Sequence, residues 1–400
     1  MLRAYKTQLD PNNRQITLMK MNCGAARWAY NYALNIKKDA FDKKEKIPNS
    51  IFLHRELNKL KGTDELSWAY EVSKCSFQEA LRDCDTAFTN FFRRCKKKVK
   101  GKKGFPKFKS KKNEKQSFRL TGSIKVLDGY VQLPRIGKIK LFEKDYLPKD
   151  AKILSATISK RADRWFVSLQ LEEDIKQPVE PINDVVGVDL GIKTLATCSD
   201  SVIYENPKAL KTNLRKLKRK SRQFSKKQKG SKNREKARVK LAKLHYKISN
   251  IRKDTLHKIT SQIINENQVI VLEDLKVSNM LKNHNLAQAI SDVGFYEFRR
   301  QIEYKAAWFG RKVVFVNTFY PSSKLCSNCG WKNESLTLTD RVFECKVCGN
   351  KICRDFNAAK NLENFYRDSL SRIDASEDGS SSNENLVSLS LKEESNLKSI

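Results

Sequence analysis

The spacing of apolar residues along this chain switches between two and three-to-four, and the switches mark its elements. Residues 1–15 open on a short strand, AYKTQL, closed by a turn at Asp10-Pro11-Asn12-Asn13. From Arg14 to about Phe92 the period is helical. Leu18, Met21, Ala25, Trp28, Ala29, Tyr32 and Leu34 recur at that spacing, a second run covers Ile51 to Leu60, and YEVSKCSFQEALRDCDTAFTNFFRR gives a third. Between Arg119 and Leu171 the runs YVQLP, GKIKLF, ILSATIS and RWFVSLQLE alternate and are separated by Gly, Pro and Asp turns. That predicts an antiparallel sheet, a small barrel completed by the N-terminal strand, with the helical module inserted in it.

The second half opens at Val185 to Ser199, VVGVDLGIKTLATCS, which predicts two apolar strands meeting across Gly191, with a third near Val202 to Tyr204. A helical stretch from Pro207 to Glu266 is bent at Gly230-Ser231-Lys232. QVIVLEDL, residues 268–275, reads as a fully buried strand. Residues 277–292 are polar, Phe295 to Phe309 is an amphipathic helix, and KVVFVN is a further strand. The segment 368–400 is rich in Ser and acids and is expected to be disordered.

Charge narrows the partners. The 400 residues, more than one core usually organises, carry 80 Lys and Arg against 45 Asp and Glu, a formal charge of +35. Such an excess repels itself, and a polyanion relieves it. A membrane fits poorly, because no run of about 18 apolar residues exists, so nucleic acid is the expected partner. The start, MLRAYKTQLD, lacks a signal-peptide core, and a reducing compartment is expected. Between Lys211 and Lys240 there are 15 Lys or Arg in 30 positions, too dense for an ordinary solvated face. A basic hairpin gripping a nucleic-acid backbone follows, with Arg215, Lys216, Arg219, Arg222, Lys232 and Arg234 as candidate contacts. The basic loop 96–118, with Phe105 and Phe108 among its lysines, reads as a second such strip and contributes Lys107 and Lys109.

Three acids stand in settings that ask for a cation. Asp189 interrupts an apolar strand, where a carboxylate is costly without compensation; the alternative is a strand-end Asp bonded to the Gly191 turn. Glu273 ends the 268–275 strand, where ligands of open α/β sheets bind, with Asp274 as its competitor. Asp355 lies where a helix begins and is either an N-cap or an inward ligand. Together they match the oxygen ligands of two-metal phosphodiester hydrolysis, holding two Mg²⁺ ions. The four histidines form no motif.

CSNCG at 326–330 and CKVCG at 345–349 place Cys326, Cys329, Cys345 and Cys348 as two knuckles of a closed tetrahedral site. One structural Zn²⁺ is expected, with rubredoxin-like iron as the alternative. Cys23, Cys75, Cys84, Cys95, Cys198 and Cys353 are expected to be scattered small hydrophobes.

With these parts in order, residues 1 to about 365 resemble the TnpB proteins, transposon-encoded RNA-guided endonucleases related to type V CRISPR effectors. GVDLGIKTLAT (187–197), GSKNREKARVKLAKLH (230–245), RKDTLHK (252–258), EFRRQIEYKAAWFGRKV (297–313), PSSKLCSNCG (321–330) and CRDFNAAKNL (353–362) carry the resemblance. It implies a multidomain α+β chain: a wedge-type β-barrel formed by residues 1–15 and 96–180, interrupted by a helical recognition module at 16–95. A RuvC-like nuclease domain of RNase H fold follows at 181–320, with the basic hairpin at 207–266. A zinc ribbon that binds target nucleic acid occupies 321–350, the last nuclease helix 351–367 and the tail 368–400. The resemblance puts the nuclease acids on Asp189, Glu273 and Asp355 and implies a guide RNA from the transposon end. It also implies cutting of double-stranded DNA beside a short transposon-adjacent motif, read through Lys74 and Gln78; a monomer is expected, with a dimer left open. Family members commonly have Asp where this chain has Cys353. A nuclease-inactive RNA-guided repressor and a transposase using the same fold are the alternatives. A cytoplasmic, nucleoid-associated location is expected in a prokaryote and a nuclear one in a eukaryote.

Overall fold

The computed structural model describes residues 2–97, 103–111, 116–149, 151–173, 180–337 and 339–377. The chain divides into two compact units, one made of Met1–Lys176 with Lys220–Tyr246, the other of Gln177–Arg219 with Lys247–Ile400.

In the first unit β1 (Leu2–Asp10) leads to α1 (Asn13–Asp42), α2 (Ser50–Leu60), a short 3₁₀ segment and α3 (Lys74–Lys96). Asn12 starts α1 with a capping box: its side chain accepts from the Gln15 N–H while the Gln15 side chain accepts from the Asn12 N–H. Strands β2 (Gln116–Leu120), β3 (Lys125–Leu127), β4 (Tyr130–Leu133), β5 (Gly137–Leu141), β6 (Lys152–Arg161) and β7 (Arg164–Glu172) follow. All are antiparallel, in the order β2-β6-β7-β1-β5-β4-β3. The N-terminal strand therefore completes the sheet from its middle, and the helices are the insertion between β1 and β2. Val167, Leu169 and Leu171 of β7, with Ala156 and Ile158 of β6, are buried in one core with Met19, Ala29 and Phe77 of the helices.

Phe105 departs from the sequence reading. Rather than lining a basic strip, its ring packs 5.1 Å from Phe91, 5.6 Å from Phe41 and 5.6 Å from Phe88, so an apolar residue among lysines went into the nearest core. Residues 98–102 and 112–115 of the basic loop lie outside the described residues.

In the second unit β8 (Asn183–Leu190), β9 (Thr194–Cys198) and β10 (Ile203–Glu205) form an antiparallel meander. Helices α4 (Ala209–Ser225) and α5 (Lys232–Glu266), which span both units, carry the chain to β11 (Asn267–Glu273). After the short α6 (Val277–Met280) and α7 (Ala287–Val293) come α8 (Phe295–Phe309) and β12 (Lys312–Val316). The sheet order is β10-β9-β8-β11-β12, with β8, β11 and β12 parallel. A two-stranded ribbon, β13 (Val342–Glu344) and β14 (Lys351–Cys353), precedes α9 (Arg354–Glu377).

Helix α9 runs ten residues into the stretch expected to be disordered. Ser369 and Ser371 donate to carbonyls one turn back, at Phe365 and Arg367, so hydroxyls read as loop-forming are satisfied inside the helix. The tail from 378 on lies outside the described residues. Among the described residues no helix is long and apolar enough to cross a membrane.

Candidate active site and metal centre

The carboxyl ends of β8 and β11 build the site. Val186 and Val188 of β8 and Ile270 and Leu272 of β11 are fully buried on one face of the sheet. Side-chain alternation turns Gly187 and Asp189, with Val271 and Glu273, to the opposite face. Val188 pairs with Leu272, so Asp189 and Glu273 come one step later on neighbouring parallel strands. Helix α9 packs on that same face, with Leu362 in a small core with Val269, Val271 and Val316. Its approach is possible because residue 187 has no side chain: a Cβ there would lie 2.0 Å from the Ala359 carbonyl oxygen and 2.7 Å from the Glu363 nitrogen. Asp355, in the first turn of α9, is thereby brought toward the strand ends.

Asp189 feels the other two acids. Burial, then the nearby carboxylates of Glu273 and Asp355, push Asp189 up to about 8, with the Arg354 guanidinium and the Leu190 N–H pulling the other way. Burial raises Glu273 as well, against the hydroxyl of Ser322, which donates to Glu273 Oε1. Asp274 has other partners. It is tied to Arg299 and Lys276, which hold it below its ordinary range, and its carbonyl accepts from Thr318 Oγ1 at 2.6 Å.

The four ribbon cysteines converge. The Sγ atoms of Cys326, Cys329, Cys345 and Cys348 all lie within 4.8 Å of one another, with Cys326–Cys348 at 3.6 Å and Cys329–Cys345 at 3.5 Å. Among the described residues these four are the group of potential metal ligands drawn this close together, and the group does not include Asp189, Glu273 or Asp355. The thiols act on one another: Cys326 and Cys348 are lowered, by N–H groups of the knuckles and the Asn328 and Asn350 side chains, while Cys329 is raised by the neighbouring cysteines, so the four share their protons as a metal-ligating tetrad does. The arrangement is consistent with zinc binding. Of the other cysteines, Cys23, Cys75, Cys84 and Cys198 are buried as expected, whereas Cys95 is half-buried and Cys353, at the end of β14, is exposed.

The candidate nucleic-acid contacts divide. Lys74 is exposed in the first turn of α3, with Gln78 half-buried one turn on, and Arg215, Lys216, Arg219, Arg222, Lys232 and Lys107 are exposed. Two are already engaged. Lys109 places its ammonium 3.7 Å from the Tyr30 ring centroid, and Arg234 donates to the Lys227 carbonyl at 2.6 Å while lying over Phe224, closing the turn between α4 and α5. Sequence reasoning missed Ser322, and it missed the buried Asp292, which accepts from the Leu210 and Lys211 N–H groups at the start of α4 and from Arg252.

Comparison with known proteins decides the family. A model described as a probable transposase matches residues 166–284, the Cas12f1-like TNB domain matches 295–362, and a helix-turn-helix model matches 1–46. The last falls on one strand and a single 30-residue helix. A protein of Streptomyces pristinaespiralis named “Putative RNA-guided DNA endonuclease” is 38% identical over 90% of this chain and 88% of its own. This chain belongs to the TnpB family. The Escherichia coli K12 relative InsQ, which carries the same descriptive name, is 32% identical over 90% of this TnpB chain and 91% of its own. In fold, this TnpB protein is similar to Cas12f1 in a solved complex with guide RNA and target DNA, with a TM-score of 0.54 at 16% identity over 87% of this chain and 83% of that one.

Proposed function

We propose that this TnpB protein is an RNA-guided DNA endonuclease of a transposable element, cutting double-stranded DNA by divalent-metal hydrolysis beside a short transposon-adjacent motif. The observation that carries the reading is geometric: Asp189 and Glu273 end neighbouring parallel strands, and Asp355 lies in the first turn of the helix packed against them at Gly187. Three carboxylates from two strand ends and a helix start are costly together unless a cation joins them. Hard oxygen ligands of this kind suit Mg²⁺, and the four thiolates suit Zn²⁺.

Asp189, Glu273 and Asp355 would hold the Mg²⁺ ions, which when bound activate water and stabilise the leaving 3′ oxygen. The protein's own part is to orient these acids through Ser322 and α9 and to present exposed cations to the phosphate backbones. Base pairing with a guide RNA would supply sequence choice. Lys74 and Gln78, one turn apart on α3, are the candidate readers of the adjacent motif. On this reading the seven-stranded sheet is the wedge, residues 16–95 are the recognition module and the five-stranded sheet is the RuvC-like core. The strand order of that sheet and its acids at the strand ends support the last assignment.

The test is to co-express the chain with RNA encoded at and beyond the end of its gene and to offer plasmids carrying a randomised flank with Mg²⁺. Double-strand cuts beside one short motif, absent from Asp189→Ala, support the proposal. Binding without cuts indicates a repressor, and joined strands indicate a transposase.

A further inference from the structure

Ser322 stands four residues before the first ribbon cysteine, and it touches both the site and the helix. Its hydroxyl donates to Glu273 Oε1, and its carbonyl accepts from Asn361 Nδ2 of α9 at 2.7 Å. Asn361 also donates to the Leu325 carbonyl at 2.7 Å, and Asn357 donates to the same carbonyl at 2.6 Å. Asn357 Oδ1 in turn accepts from the Ser327 N–H at 3.0 Å, and Asn364 donates to the Ser327 carbonyl at 3.0 Å. Residues 325 and 327 flank Cys326. Every backbone group on either side of that thiol that meets these amides is therefore fixed to the helix whose first turn bears Asp355.

These amides lie deep. Asn357 is 0% exposed, and Ser322 and Asn361 are 4% exposed. A buried amide is costly unless satisfied, and Ala358, Ala359 and Leu362 show that packing alone needs only small apolar residues on this helix. Spacings of four and three put Asn357, Asn361 and Asn364 along one stripe of α9. The stripe does what packing cannot: it sets the height and rotation of the loop 322–327 along the helix axis.

We propose that Ser322, Asn357 and Asn361 are positioning residues that transmit the setting of the four-cysteine ribbon to the carboxylates of Glu273 and Asp355. The inference rests on the reading of Asp189, Glu273 and Asp355 as metal ligands. Asn357 and Asn361 lock the loop to α9, and Ser322, held by Asn361, aims one oxygen of Glu273. A ribbon closed on its metal fixes Cys326 and with it the Leu325 carbonyl and the Ser327 N–H that Asn357 and Asn361 hold. Partners that orient ligating carboxylates typically matter about 10–100-fold in metal affinity.

The experiment compares the full chain, with its RNA, as wild type, Ser322→Ala, Ser322→Thr, Asn361→Leu and Asp189→Ala. Three quantities are read: the Mg²⁺ concentration giving half-maximal cleavage, the Mn²⁺-dependent rise in melting temperature, and zinc content by atomic emission. Ser322→Ala is expected to keep its zinc, to need about tenfold more Mg²⁺ and to lose most of the Mn²⁺-dependent rise. Ser322→Thr, which keeps a hydroxyl, is expected to restore both. Asn361→Leu is expected to behave as Ser322→Ala does if it folds, and its melting temperature without added metal reports whether it does. A Ser322→Ala protein with unchanged Mg²⁺ and Mn²⁺ dependence, alongside an inactive Asp189→Ala, overturns the relay and leaves the acid trio standing. Cleavage by Asp189→Ala overturns the trio and the relay together.

Discussion

Gly187 of β8 and Ala359 of α9 meet backbone to backbone, with room for no more than hydrogen on the glycine: a Cβ would lie 2.0 Å from the Ala359 carbonyl oxygen. This contact sets how near α9, and with it Asp355, comes to the ends of β8 and β11. Gly187→Ala must push the helix away, an overpacking that costs roughly 1–3 kcal/mol. The expected result is a lower melting temperature together with loss of DNA cleavage, while RNA binding by the exposed lysines and arginines persists. Unchanged cleavage kinetics would show that the helix need not sit there.

Asp189 carries a second prediction, on stability. With its carboxyl at about 8 in the fold against an ordinary 3.8, the native chain binds more protons than the unfolded chain between those values, so metal-free stability falls as pH rises through that window. Asp189→Asn removes this dependence. In EDTA the variant is expected to melt above wild type at pH 8, with the gap closing toward pH 4. Equal melting at both pH values contradicts the account of the buried charge.

The local patterns were legible in the sequence because they depend on neighbours along the chain. The apolar runs of β8 and β11, the two cysteine knuckles and the bend at Gly230 each declare themselves within a few residues. Ser322 and Asp292 were not legible, because their partners lie 49 residues from Ser322, at Glu273, and 82 from Asp292, at Leu210, and nothing local marks them. Phe105 was misread because its lysine neighbours dominate the composition, although a phenylalanine ring goes where apolar surface is nearest. The asparagine stripe of α9 took its meaning from the loop it grips, which only the structure brings to it.

Lys305 gives a prediction at the other end of the pH range. It is buried in α8, where its ammonium donates to the His257 carbonyl, Thr260 Oγ1 and Ser261 Oγ, and burial lowers it from 10.5 to about 8. As pH rises from about 8 to 10.5, the native chain gives up this proton before the unfolded chain does, so the unfolded state binds more protons and stability rises. Denaturant titrations across that window are expected to show less of this rise in Lys305→Met than in wild type. An identical pH slope in the two proteins contradicts it.

The basic hairpin separates cations that reach outward from one that closes the turn. Arg219 is exposed on α4, while Arg234 donates to the Lys227 carbonyl and covers Phe224. Arg219→Ala is expected to weaken RNA binding, with the slope of log affinity against log salt falling by about 0.7–0.9, and to leave melting unchanged. Arg234→Ala is expected to lower melting and to affect RNA binding only through the loosened turn. Filter-binding titrations at several salt concentrations, paired with thermal melts, distinguish the two.

The central claim is that Asp189, Glu273 and Asp355 form one divalent-cation site. Anomalous diffraction from crystals of the chain with its RNA and target DNA, grown in Mn²⁺, measures this directly. The account predicts two peaks about 4 Å apart, ligated by these three carboxylates and absent from Asp189→Ala crystals. Manganese bound elsewhere, with none of the three within coordination distance, would contradict it.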